Sequence, residues 1–326
     1  MCDMQNQSTS VVSGSRFKAV HIGIIILLCL AIWPTFMGPY ILHVAILIAL
    51  NILIVNGLSI IERSGQLSFG HSAFVAFGAY GSVLLSIHFG LSPLVAGVFA
   101  IIFAALIALV LGGVILRLKG VYFVLVTFAF AELTRLALMD WSAVTGGANG
   151  LSAIPSFELL GFVFDTRPSF YGLMIVVVVL SLILTHQIFK HPLGEAFMAV
   201  AQNGPLSEST GLSVYRLQLV AFMIGCALAA LGGVLMARYI GFVSPESFNL
   251  NISVALVTML VIGGRGSLWG PVVGAIVLTS LPEIFRGALQ TQHIFYGISL
   301  ILILRFLPGG LVSLPGRIWK RTRVPQ

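Results

Sequence analysis

The stretch LVAGVFAIIFAALIALVLGGVIL, residues 94–116, contains no charged side chain. A helix needs roughly 20 mostly apolar residues to cross a hydrocarbon core of about 30 Å, so this stretch predicts a transmembrane helix. Runs of the same kind recur on both sides of it, at residues 21–36, 40–61, 69–87, 121–139, 170–189, 217–240, 252–262, 269–284 and 294–306. The 326 residues are 58% hydrophobic and 8% charged, with a mean hydropathy of +1.07, whereas soluble domains carry roughly a quarter charged residues. The expected fold is all-α: a single transmembrane domain over residues 1–326, a polytopic helical bundle of about ten crossings with one or two broken segments.

A net charge of +7 raises the question of nucleic acid in a soluble protein, but in a membrane chain the basic residues report topology first. If the crossings alternate, Arg16, Lys18, Arg63, Arg117, Lys119, Lys190, Arg216, Arg265, Arg305, Arg317, Lys320, Arg321 and Arg323 share one side. That side is expected to be cytoplasmic and to hold both termini. Arg167 and Arg286 fall opposite, with Arg135 and Arg238 near helix ends. The first run, IGIIILLCLAIW, has no small-x-small cleavage site and follows a polar leader, so an uncleaved first helix is expected. The lipid bilayer is a partner; nucleic acid is not.

Chemistry-bearing motifs are few. There is no GxxxxGK[ST] loop to cradle a nucleotide, so this chain is not expected to hydrolyse ATP. The seven histidines and the three cysteines, Cys2, Cys29 and Cys226, show no metal-ligand spacing. No metal, no cofactor and no catalytic residue is expected, and a transport role rather than an enzyme follows.

Within the apolar runs, Ala221, Gly225, Ala229, Gly233 and Ala237 repeat at every fourth position, which lets a neighbouring helix approach closely. RSGQLSFGHSAFVAFGAYG (63–81) and GGRGSLWGPVVGA (263–275) each interrupt an apolar region with glycines beside an arginine. Such interruptions supply irregular backbone that lines a cavity, or simply form a tight hairpin. Ser68, His71 and Ser72 are polar points on the first of them, and Thr127 and Glu132 on the run at 121–139; all five are candidates for a translocation path. Glu132 and Arg135 share a helical face, so a mutual salt bridge is the alternative for Glu132. The loop TGGANGLSAIP (145–155) is either an anion-binding nest or a sharp turn.

The stretch HPLGEAFMAVAQNGPLSESTGLSVYRLQL (191–219) is polar and still half helical in pattern. Leu193, Phe197, Val200 and Ala201 follow helical spacing, Pro205 suits the first position of a second helix, and Gly211 suits its stop. Two short helices are expected on the cytoplasmic side, over 191–216. Helices that lie flat on headgroups are rich in Lys and Arg, and none stands between Lys190 and Arg216. Docking to another subunit is the stronger reading.

At this point the motifs together acquire a family likeness. GQLSFGHSAF, YFVLVTFAFAEL, TGGANGLSAIP, GEAFMAVAQNGPLSESTGLSVYRLQL, FVSPESF and VIGGRGSLWGPVVGAIVLTSLPE, in that order, span about 65–283. The chain resembles the LivM-like permeases of branched-chain amino acid ABC importers. That resemblance implies a bacterial inner-membrane subunit working with a second, homologous permease, ABC ATPase subunits and a periplasmic solute-binding protein that selects a small-molecule substrate. It also implies that the cytoplasmic loop is the ATPase coupling element, mapping here onto Gly194, Glu195, Ala196 and Gly211. Where the family carries more charge in this loop, the present chain reads AQNGPLSEST. Related permeases handle urea or short amides. A proton-coupled secondary transporter, with Glu132 or a histidine carrying the proton, is the competing class.

Overall fold

The computed structural model describes residues 38–159, 161–284 and 310–313. The runs expected at 21–36 and 294–306, with Cys2, Cys29 and Arg286, lie outside the described residues. The eight runs between them form helices within about three residues of the expected bounds. In chain order these are α1 (Pro39–Arg63), α2 (His71–Phe89), α3 (Pro93–Ile115), α4 (Val121–Asp140), α5 (Arg167–Lys190), α8 (Val214–Ile240), α9 (Leu250–Gly263) and α10 (Gly270–Ile284). Two further helices, α6 (Pro192–Gln202) and α7 (Gly204–Ser209), precede α8. Among the described residues, seven segments are long and apolar enough to span a bilayer, counting α9 together with the 3₁₀ turn Pro245–Phe248 before it. Helix α10 is shorter, so the described residues do not fix a count of ten.

Two central helices, α1 and α8, hold the bundle together. Helix α8 packs along α1, α2 and α3, while α5, α9 and α10 close on α1. The repeat of small residues on α8 makes this possible: Ala221, Gly225, Ala229, Gly233 and Ala237 are all buried. Gly225 faces Gly57 of α1 so closely that a Cβ on either would run into the other's carbonyl oxygen. Without a hydrophobic drive between helices in lipid, such backbone proximity is what van der Waals association rests on.

Peripheral helices show the reverse of a soluble pattern. On α3 the inward stripe is Ala96, Ala100, Ala104, Ala108 and Gly112, while Phe99, Ile102, Phe103, Leu106 and Val110 point outward. Large apolar side chains face the lipid because hydrocarbon welcomes them, and small ones face the protein because packing demands it. Helix α1 is mostly buried and α4 mostly exposed, which makes α4 the most open flank among these spans.

One element is not helical. Residues Phe157–Leu159 and Phe162–Phe164 form a short antiparallel hairpin, β1 and β2, within the long connection between α4 and α5. Its face of the bundle, the hairpin face, also holds the N termini of α1 and α5 and the C terminus of α8: Arg167 donates to the Pro39 carbonyl at 3.2 Å and Arg238 to that of Pro155 at 3.0 Å. The opposite face carries α6 and α7.

Candidate functional site

The expected interruption at 63–81 is real. Residues 64–70 leave α1 as irregular backbone, and α2 begins only at His71. The His71 Nε2 lies 3.2 Å from the carbonyl of Ile54, which is roughly 13 Å along α1 from Arg63 at the usual helical rise. The segment therefore runs back into the depth of the bundle before α2 starts. Its free backbone groups are met by side chains: the Phe69 N–H donates to Thr127 Oγ1 at 3.2 Å and the Gly70 N–H to Ser68 Oγ at 3.2 Å. Buried backbone of this kind is tolerated at membrane depth only with such partners.

Around this turn Ser68, His71, Ser72 and Thr127 are all buried, each bonded to its own partner, with His71 turned to α1 and Thr127 reaching the turn from α4. Sequence reasoning missed a fifth buried polar residue, Ser253 of α9, whose Oγ donates to Ser72 Oγ at 2.8 Å and accepts from the Ser72 N–H at 3.3 Å. A single serine in LNISVALV was the available signal. His71 is fully buried, and its Nδ1 has no hydrogen-bond partner. These buried polar groups are hydroxyls and one imidazole, with no charged side chain among them.

Glu132 is engaged elsewhere. Its carboxylate receives Arg135 Nε at 3.0 and 3.1 Å and also contacts an Arg135 Nη, while the other Nη of Arg135 donates to Glu246 at 2.8 Å. Arg135 so clamps α4 to the 3₁₀ turn Pro245–Phe248 on the hairpin face. The glycine-rich loop beside it is a turn with its amides in use. The Gly146 N–H donates to Ser142, that of Gly147 to Thr145 Oγ1 and that of Gly150 to Gly147, and Leu151 pairs with Val243 in both directions.

On the other face, α6 and α7 take the expected form. His191 and Asn203 cap the two helices, with Asn203 Oδ1 accepting from the Leu206 N–H at 3.1 Å. Gly211 follows α7 at φ +88°, a left-handed turn that favours glycine. Of the candidate coupling residues, Glu195 and Gly211 are exposed, Ala196 is half-buried and Gly194 is buried, pressed against the backbone of Ile188 and Phe189 in α5. Phe197 and Val200 anchor α6 inward.

Arg63 ties this helix pair to the membrane helices. Its guanidinium lies 4.0 Å from the centre of the Phe189 ring, donates to the Gly266 carbonyl at 2.9 Å and sits 3.1 Å from Met198 Sδ of α6. Gly266 belongs to GGRGSLWGPVVGA, which turns out to be a tight hairpin between α9 and α10, with Gly263 against Gly270 and Gly274 against Met259. In the sequence Arg63 marks topology and the start of the interruption, with nothing to show these partners.

A bundle of apolar helices with a broken, polar-lined crossing and an attached surface helix pair defines the class of membrane permeases. The sequence profile of the family described as "branched-chain amino acid transport system / permease component" matches residues 40–307, and the chain belongs to that family. It is 32% identical, over 93% of its length and 77% of the relative's, to the high-affinity branched-chain amino acid transport system permease protein LivM of Escherichia coli. A more distant relative is the probable branched-chain amino acid transport permease protein LivM of Methanocaldococcus jannaschii, 22% identical over 66% of this chain and 68% of the relative. The permease protein LivH of Salmonella typhimurium is 29% identical over 43% of the chain and 46% of its own length. No solved structure matches the chain. It is a multi-pass membrane transport subunit and not an enzyme.

Proposed function

We propose that the chain is the translocation subunit of an ATP-driven importer of branched-chain amino acids, energised by separate ATPase subunits. The observation that carries this reading is the pair α6 and α7, with Glu195 and Gly211 exposed at its two ends, on a chain that has no nucleotide-binding loop of its own. Gly194, Glu195, Ala196 and Gly211 form the docking element that an ATPase pushes. Through Gly194 against α5 and Arg63 against Phe189, that push reaches α1, α5 and the α9–α10 hairpin. Ser68, His71, Ser72 and Thr127, with Ser253, line the path, and Glu132 stands toward its hairpin-face end.

The distribution of Lys and Arg supports a bacterial inner membrane orientation with the helix-pair face and both termini cytoplasmic. The open flank at α4 fits a second, homologous permease, and the LivM and LivH names among the relatives agree with a pair. A periplasmic solute-binding protein delivers the substrate to the hairpin face. The test is reconstitution: leucine accumulates in vesicles holding the complete set of subunits with ATP, and E195Q combined with G211V lowers co-purification of the ATPase and uptake together. Accumulation by this chain alone under a proton gradient overturns the proposal in favour of a secondary transporter.

A further inference from the structure

On the hairpin face, a cavity of about 430 Å³ opens between the N-terminal end of α1, the N-terminal end of α5 and the C-terminal end of α8. Its volume is in the range that small-molecule sites occupy, roughly 300–1,000 Å³. Part of its wall is aromatic: Phe170 stacks on Tyr239 with ring centroids 5.0 Å apart, and His43 stacks on the same Tyr239, its Nδ1 2.6 Å from the hydroxyl.

Arg238, which also lines this cavity, forms no ion pair among the described residues. Its side chain is 5% exposed and donates to the carbonyls of Pro155 and Ser82 and to Ser86 Oγ, all neutral acceptors, at 3.0, 3.3 and 2.7 Å. Its Nε has no partner, and no carboxylate among the described residues lies within ion-pair distance of it. A buried guanidinium without an anion is costly to keep, and retaining one in a cavity wall marks a place for a negative ligand. Arg167, exposed on the same cavity, adds a second cation, and the N-terminal end of α5 adds the positive end of a helix dipole. Asp165, two residues before Arg167, and the C-terminal end of α8, whose last turn carries Arg238, put the opposite sign in the same lining.

We infer that this cavity is a binding site for a small aliphatic α-amino acid, its carboxylate toward Arg238 and Arg167, its ammonium toward Asp165 and the end of α8, and its side chain against Phe170. The choice of an amino acid over another carboxylate rests on the transport reading above. The site lies apart from the Ser72–Ser253 pair and is where a solute first meets this chain from the hairpin face.

The test is binding of radiolabelled L-leucine to the purified full-length chain in lipid nanodiscs, with R167Q and R238Q compared at matched melting temperature. Saturable binding is expected, weakened at least tenfold in both variants, with leucinamide, which lacks the carboxylate, failing to compete. R167Q, being at an exposed position, keeps the experiment decisive if R238Q does not fold. Unchanged binding in R167Q, or competition by leucinamide as strong as by leucine, overturns the site. So does absence of saturable binding in a chain whose assembled system accumulates leucine, a result that leaves the transport reading standing. Carboxylate-dependent binding in a system that accumulates no amino acid does the opposite: it keeps the site and removes the transport reading.

Discussion

The guanidinium of Arg63, at the last residue of α1, lies 4.0 Å from the centre of the Phe189 ring near the end of α5. The same group holds Gly266 and Met198, so three membrane elements and the surface helix α6 share one side chain. R63K keeps the charge but loses the planar fork that stacks and donates at once. Cation–π contacts contribute about 0.5–2 kcal/mol. In the reconstituted system R63K is expected to leave ATP hydrolysis near wild type and lower uptake per ATP about fivefold. A proportional fall in both would make Arg63 a folding residue only.

Helix proximity between α1 and α8 gives a sharp steric prediction. A methyl on Gly225 meets the Gly57 carbonyl and the Ile61 side chain, whereas one on Gly172 of α5 meets nothing within 4 Å. Overpacking of this kind costs roughly 1–3 kcal/mol. G225A is expected to lower the melting temperature in detergent clearly and G172A to leave it within a degree or two of wild type, as read by fluorescence-detected size exclusion.

The Ser72–Ser253 pair calls for a double-mutant cycle. S253A strands the Ser72 N–H and hydroxyl together, a loss of about 1–3 kcal/mol for unsatisfied buried groups. S72A leaves the backbone donation to Ser253 in place and is expected to cost less. The double variant is expected to be less destabilised than the sum by about 0.5–1.5 kcal/mol. Strict additivity in thermal unfolding would contradict the hydrogen-bonded pairing.

Arg135 sits between two acids of unequal standing. Its own side chain is 17% exposed, that of Glu132 30% and that of Glu246 59%. Exposed ion pairs contribute about 0–1 kcal/mol, so E246Q is expected to change stability by less than about 1 kcal/mol and leave uptake intact. E132Q removes the closer partner and, with Glu132 on the proposed path, is expected to lower uptake severalfold. Wild-type uptake in E132Q would leave Glu132 a structural salt bridge.

Much of this was legible in the chain itself, for a reason that is physical. Whether a stretch spans lipid depends on its own length and polarity, since a helix satisfies its backbone internally. The bounds of α1 through α5 could therefore be read to within about three residues. Glycine punctuation around Gly65 and Gly70 announced the irregular backbone between α1 and α2, and Pro205 and Gly211 announced the α6–α7 pair. The three-residue strands β1 and β2 carried too short a pattern to be seen.

Partnership across the bundle was another matter. Ser72 and Ser253 are 181 residues apart, and Arg63 and Gly266 are 203 apart. Nothing in local periodicity says which helix faces will meet when small-residue seams such as Gly57 with Gly225 draw together. Sequence determined a membrane permease with an interrupted crossing and a surface helix pair, because partition into lipid is a local property. Only tertiary structure decided that Arg238 lines a cavity with no carboxylate among the described residues paired to it and that Ser253 meets Ser72, because both follow from which backbones approach closely enough to touch.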